Sequence, residues 1–182
     1  MFSGKSFSSK ITRKLTHSQY DHVAMVVTFE DDDEIYLLEA TSEGVHLVSW
    51  NEIRKYRDQI FSKVVWRRLY TERNDDFCDI LGTFIKAVAN KKYSISLSKL
   101  LTRQSVLVPQ NTEDPNNTAM IDDQRTFFCS ELIAKCFKTL RLLITSRSCT
   151  TIYPKHFSSK KKLELTDAEL GEELMITFDI MS

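Results

Sequence analysis

The chain lacks three features that would assign it to a common class of protein. No stretch approaches the roughly 20 consecutive apolar residues that a transmembrane helix needs. Residues 1–14 are rich in serine and lysine and contain no apolar segment of signal-peptide length. The four cysteines form no Cys-x-x-Cys pair and no compact cluster with histidine, so the sequence argues against a structural zinc site. We therefore expect a cytoplasmic protein with free thiols, no metal and no cofactor.

An excess of charge of one sign is also missing. The 25 basic residues balance 25 acidic residues, which removes the electrostatic argument for nucleic acid as the main partner. One local run, residues 30–34, consists of five acids. It lacks the spaced ligands and the central glycine of a calcium loop, so we interpret it as the tip of a hairpin.

Hydrophobic periodicity predicts a mixed α+β domain. Residues 1–19 are interpreted as a polar lead-in, and residues 20–182 as a single domain. Short β-branched or alternating runs predict five strands, and apolar residues at three- and four-residue spacing predict two helices. The strands are expected at 22–29, 35–40, 45–50, 64–69 and 172–180, and the helices at 75–90 and 129–140.

Cys129 is the cysteine best placed for chemistry. A thiol attacks a carbonyl carbon as the thiolate, and the positive end of a helix favours that ionised form. Cys129 begins the second predicted helix, whereas Cys136 lies about two turns further along on its inner side. The pattern therefore indicates a reactive role for Cys129 and a packing role for Cys136.

A histidine base could come from any of four positions, His17, His22, His46 and His156. His22 opens a predicted buried strand, where a rigid backbone can aim its imidazole. Glu39 stands near the end of the next strand. If the two strands form a hairpin, their outer ends meet, and the carboxylate can orient the imidazole.

These residues fall within a set of motifs that resembles the circularly permuted branch of the NlpC/P60 papain-like superfamily, in particular its YiiX/YebB-like group and poxvirus relatives. The order of the motifs is histidine, glutamate, cysteine, and together they span residues 22–157. The similar stretches are His22-Val23-Ala24-Met25-Val26, Leu38-Glu39-Ala40 with Gly44-Val45, Phe128-Cys129-Ser130-Glu131-Leu132, and Tyr153-Pro154-Lys155-His156-Phe157.

The resemblance implies a papain-like fold in which an antiparallel sheet or small barrel packs against the helix that carries the nucleophile. It implies that Cys129 is the nucleophile, His22 the general base and Glu39 the orienting carboxylate. The Cys129 backbone N–H would donate to the oxyanion, with Gln19 or Tyr20 as candidates for the second donor.

Three departures from the family pattern bear on the substrate. Asp21 precedes the histidine where serine is common, Ala24 replaces a common glycine, and Asn90 stands where a Gly-x-x-Tyr segment usually begins. Tyr93 occupies the tyrosine position of that segment and is a further candidate for substrate contact. An acid beside His22 is expected to raise the histidine pKa or to narrow the range of substrates.

The expected activity is cysteine-dependent hydrolysis or acyl transfer on an amide or ester of a peptide or lipid. The alternative is a papain-like fold kept as a binding or interaction module with a silent triad. A third hypothesis is peripheral contact with a membrane through basic residues near the C-terminus and the basic N-terminus. The C-terminal group comprises Lys155, Lys160, Lys161 and Lys162.

Overall fold

The computed structural model describes residues 1–41, 43–89, 129–161 and 163–177, and Tyr93 and Lys162 lie outside these ranges. Four α-helices and eight β-strands occur in the described residues. The helices are α1 (Phe7–Thr16), α2 (Trp50–Ile60), α3 (Asp75–Val88) and α4 (Cys129–Thr139). The strands are β1 (Phe2–Gly4), β2 (Met25–Phe29), β3 (Asp32–Thr41), β4 (Gly44–Ser49), β5 (Phe61–Trp66), β6 (Leu69–Thr71), β7 (Ala168–Leu170) and β8 (Leu174–Met175). The predicted α+β class is confirmed.

The strands β2, β3 and β4 form an antiparallel meander. Met25 pairs with Leu38, so the predicted hairpin between the first two strands is present. The turn is shorter than the predicted acidic tip of residues 30–34, because β3 already begins at Asp32. The Asp32 carboxylate accepts hydrogen bonds from the Tyr36 hydroxyl and the Glu34 N–H, which explains how an acid is accommodated at the start of a strand.

Residues 1–19 are not a simple polar lead-in. Met1 to Gly4 are buried, and β1 lies antiparallel to β5, with Phe2 opposite Val64. The next segment forms α1, whose first turn is capped by the Ser6 hydroxyl accepting from the Ser9 N–H. A three-residue strand with little apolar sequence has too short a pattern to be recognised before folding.

The two predicted helices agree closely with α3 and α4. The inner side of α4 is fully buried at Leu132 and Cys136, and α4 packs against α3 and β3. The Ser130 hydroxyl donates to the Ile152 carbonyl, which anchors the first turn of α4 to the segment that follows it in the chain. The helix that begins at Cys129 is therefore held firmly in the core.

Two short antiparallel strand pairs complete the described fold. β5 pairs with β8, and β6 pairs with β7, so the C-terminal segment returns to the middle of the chain. The Arg67 guanidinium strengthens this return by donating to the carbonyls of Phe157, Leu170 and Gly171. The predicted strand over 172–180 is present only as β8, and residues 178–180 lie outside the described residues.

No described helix has both the length and the apolar character needed to cross a bilayer.

Because α4 carries Cys129 into the core, truncating its buried face should destabilise the whole fold. We expect Leu132→Ala to lower the free energy of unfolding by about 2–5 kcal/mol, since it removes a fully buried side chain and leaves a cavity. Urea denaturation followed by circular dichroism measures the change.

The matched control is Leu15→Ala on α1, where the leucine side chain is 52% exposed. Its effect should stay below about 0.5 kcal/mol, as for most exposed positions. Equal losses from the two substitutions would contradict the burial pattern.

Candidate active site

Cys129 is the first residue of α4, as the sequence predicts. Its backbone N–H is one of the first four in the helix, which have no partner within the helix. The residue is only 7% exposed, and its Sγ lies 3.9 Å from the carbonyl oxygen of Asp21. The thiol thus sits against the segment that carries His22.

The first strand of the chain positions that segment. Phe2 and His22 form an antiparallel bridge, in which the Phe2 N–H donates to the His22 carbonyl over 2.9 Å. The Phe2 ring also packs on the imidazole, with 5.4 Å between ring centroids. Because Phe2 is itself buried, it holds both the backbone and the ring of His22.

Glu39 orients the imidazole from the neighbouring strand. The His22 Nε2–H donates to Glu39 Oε2 over 2.7 Å, which is a short, charge-assisted geometry. Since Nε2 is occupied in this way, Nδ1 is the ring nitrogen that remains for the thiol. The structure therefore brings together all three residues that the sequence analysis proposes as a triad.

The electrostatics of the cluster favour a thiolate–imidazolium pair. Burial by itself lowers the pKa of His22, but hydrogen bonds and charge interactions with Cys129 and Glu39 outweigh it and raise the pKa to about 10. Burial likewise opposes ionisation of Cys129, yet the hydrogen bond and positive charge of His22 lower its pKa below the ordinary value. Each partner thus stabilises the ionised form of the other.

Two backbone groups add to the stabilisation of the thiolate. The N–H groups of Val23 and Ser130 donate to the Cys129 sulfur, and both lower its pKa. Neither contact is evident from the sequence, because backbone donors leave no residue-type signal. Val23 also follows His22 directly, so one short segment supplies both an imidazole and an N–H to the sulfur.

The other cysteines have different environments. Burial raises the pKa of Cys136 to about 12, and its sulfur lies 3.9 Å from Met25 Sδ. Cys149 is buried and Cys78 is exposed, and all four thiols are free. The predicted packing role of Cys136 and the prediction of free thiols are confirmed.

Among the described residues, the side chains of the other three histidines have no recorded hydrogen bond to the side chain of Cys129 or Glu39. His17 ends α1 in a left-handed conformation, and His46 lies on β4 in register with Glu39. His156 accepts a hydrogen bond at Nδ1 from the Tyr153 N–H. His22 is the histidine whose contacts with Cys129 and Glu39 the structure records.

The two upstream candidates for oxyanion donors have structural contacts. The Tyr20 side chain is buried, and its hydroxyl donates to Glu173 over 2.5 Å, so that proton is committed. The Gln19 carbonyl accepts a hydrogen bond from the Ser3 hydroxyl, and the Gln19 residue is exposed. The third candidate, Tyr93, lies outside the described residues. The Tyr20 hydroxyl is therefore not available as the second donor to the oxyanion.

Asp21 does not act on His22 as the sequence analysis expects. Its carboxylate binds the Arg13 guanidinium and accepts from the Gly4 N–H. A side chain at Gly4 would collide with Ser9, so glycine permits this close approach. Arg13 neutralises the acid, and the charges that raise the pKa of His22 come from Cys129 and Glu39 instead.

Within the described ranges, no group of three or more histidine, cysteine, aspartate or glutamate side chains has a metal-binding arrangement.

The thiolate–imidazolium pair predicts how alkylation of Cys129 depends on pH. We expect the rate of iodoacetamide modification of Cys129 to reach its midpoint at a lower pH than that of N-acetylcysteine, a free thiol whose pKa is about 8.5. Burial of the sulfur slows alkylation at every pH, so the midpoint pH reports the ionisation of Cys129. Peptide mass spectrometry after timed labelling follows Cys129, with N-acetylcysteine labelled in parallel.

Glu39→Gln provides the matched variant. Loss of the carboxylate destabilises the imidazolium, so the Cys129 midpoint should move to higher pH than in the wild-type protein. A wild-type Cys129 midpoint that coincides with that of N-acetylcysteine would rule out the ion pair.

Neither protein-family models nor curated protein sequences match this chain. The resemblance to the permuted NlpC/P60 enzymes thus rests on the chain's own motifs and stays a prediction.

Proposed function

We propose that the protein is a cysteine-dependent hydrolase or acyltransferase that acts on an amide or ester bond. The observation that carries this proposal is the placement of His22 between two partners, with Glu39 hydrogen-bonded to Nε2 and Cys129 at the start of a helix. Perturbed pKa values that depend on specific partners are common at functional sites.

We propose a permuted papain-like fold on the same grounds. The helix α4 carries Cys129 into the core and packs against β3, which carries Glu39. The strand order places His22 and Glu39 before Cys129 in the chain, as in the family that the motifs resemble. The helix thus supplies the thiol, β3 the carboxylate, and the segment before β2 the imidazole.

In the first step, the Cys129 thiolate attacks the carbonyl carbon of the substrate. A carbon–sulfur bond forms, and the π electrons of the carbonyl move onto its oxygen. The Cys129 N–H at the helix start is a suitable donor to that oxyanion, and one such donor contributes about 3 kcal/mol. As the intermediate collapses, the His22 imidazolium protonates the leaving amine or alcohol, and an acyl-thioenzyme remains.

In the second step, His22 is neutral and acts as a base. It takes a proton from water, or from an acceptor amine or alcohol, which attacks the thioester carbonyl. The carbon–sulfur bond breaks, the acyl group leaves with the new nucleophile, and the thiolate–imidazolium pair is restored. Glu39 keeps Nε2 protonated throughout and so presents Nδ1 to the reacting groups.

The same charges predict the pH profile of the reaction. The rate should rise with pH through the lowered pKa of Cys129, because the thiolate is the nucleophile. It should fall again near pH 10, where His22 loses the proton that the leaving group needs.

The proposal predicts an acyl adduct on Cys129. We expect a p-nitrophenyl ester of a short fatty acid to release nitrophenol and to leave a thioester on Cys129, detected by mass spectrometry after acid quenching. His22→Ala should lower the rate by about 10²–10⁴-fold, the range of a general acid–base group. Cys129→Ala should abolish both the adduct and the turnover.

Cys78→Ala is the control, because Cys78 is an exposed thiol far along the chain from the triad. Unchanged turnover in Cys129→Ala would overturn the proposal. If wild-type Cys129 is readily alkylated but forms no adduct with either an ester or an anilide, the alternative of a binding module with a silent triad is favoured.

A further inference from the structure

The helix α1 exposes its apolar side and packs its polar side against the protein, which is the reverse of a typical surface helix. A surface helix normally turns its apolar stripe toward the core and its polar side toward water. In α1 the side facing the protein is polar: Thr16 is buried, Ser9 and Arg13 are partly buried, and Arg13 binds Asp21 and the Gly4 carbonyl. Polar contacts therefore attach α1 to the fold.

The outer side of α1 is apolar. Phe7, Ile11 and Leu15 follow one another at four-residue spacing, so they form one stripe along the helix. Their side chains are 78%, 38% and 52% exposed. Phe7 and Leu15 leave most of their apolar surface in water, which points to an external apolar partner.

The charged side chains of α1 are all positive. Residues 1–20 contain no acidic residue. Lys10 and Lys14 are exposed on the same outer side of α1, next to the apolar stripe. Arg13 differs from them because Asp21 already neutralises it. In a chain with no net charge, this concentration of lysine beside apolar side chains suits an anionic partner.

A basic cavity adjoins the C-terminal end of α1. The Lys155 ammonium group donates to the Thr16 carbonyl, and Lys155 also lines a shallow cavity of about 450 Å³. Arg147, Ser148, Thr151 and His156 line the same cavity, so cationic groups and hydroxyls share one space. Burial and the positive charges of Lys155, Arg147 and Lys161 lower the pKa of His156, which indicates a positive local potential.

We propose that α1 is an interfacial helix that docks this protein on an anionic phospholipid surface. Phe7, Ile11 and Leu15 enter the boundary between headgroups and acyl chains, while Lys10 and Lys14 extend to the phosphates. The cavity with Arg147 and Lys155 adjoins the C-terminal end of α1 and adds further cationic groups near the helix. Docking does not depend on catalysis by Cys129.

The proposed membrane contact is therefore made mainly by α1, whereas the sequence suggests the C-terminal lysines. Lys155 is tied to the end of α1, Lys160 and Lys161 are exposed, and Lys162 lies outside the described residues. A lysine cluster alone would bind anionic surfaces weakly, whereas α1 adds apolar insertion. The combination is typical of helices that lie in the plane of a membrane.

Co-sedimentation with vesicles tests the proposal on the full chain. We expect binding to phosphatidylcholine vesicles that contain about one-third phosphatidylserine, and at least about tenfold weaker binding to phosphatidylcholine alone. Phe7→Ser with Leu15→Ser should weaken binding to the anionic vesicles at least about tenfold at any salt concentration. Lys10→Glu with Lys14→Glu should weaken it mainly at low salt, where charge attraction is least screened.

The matched control is Ile35→Ser, because Ile35 is 42% exposed and lies on β3, so it belongs neither to α1 nor to the lining of the basic cavity. It should bind vesicles like the wild-type protein, and circular dichroism should show all variants folded. Unchanged binding after Phe7→Ser with Leu15→Ser would overturn the proposal. So would a wild-type dimer in solution that ignores vesicles and dissociates on that substitution, since the stripe would then be a protein interface.

Discussion

The hydrogen bond between His22 and Glu39 is the interaction on which the candidate site depends. It joins the segment before β2 to the body of β3 and places a cation-stabilising carboxylate next to the imidazole. Burial by itself favours a neutral histidine and a neutral thiol, because both ions are costly away from water. The hydrogen bonds of His22 with Cys129 and with Glu39 outweigh burial, so His22 stays protonated at neutral pH and its positive charge lowers the pKa of Cys129. Glu39 thus supports the charge of His22 together with the thiol, and it also holds the ring through Nε2.

That contact is supported by parts of the chain that carry no chemistry. Phe2 pairs with His22 and packs on its ring, so a three-residue strand controls where the base lies. Arg13 binds Asp21, which directly precedes His22, and thereby links α1 to the same segment. If α1 docks on a membrane as proposed, the Arg13–Asp21 ion pair connects the docking helix to the segment that carries the proposed base, His22. This proximity would suit a substrate presented by a lipid surface.

The sequence predicts the parts of this structure that have a long or ordered pattern. The helices α3 and α4 are found from apolar spacing, and the β2–β3 hairpin from two β-branched runs around an acidic turn. The triad is found because a thiol at a helix start and a histidine–glutamate pair across a hairpin have recognisable positions. β1 and α1 are missed, since a three-residue strand has no period and α1 buries its polar side. The role of Asp21 is missed because its partner Arg13 comes from that unrecognised helix.

The most direct test of the thiolate–imidazolium pair is the titration of His22 by nuclear magnetic resonance of histidine-labelled protein. His22→Gln identifies the resonance among the four histidines. The thiolate–imidazolium pair predicts that His22 stays protonated up to about pH 10 and that Cys129→Ala moves its midpoint to lower pH. A midpoint near the ordinary histidine value of about 6.5, unchanged in Cys129→Ala, would contradict it.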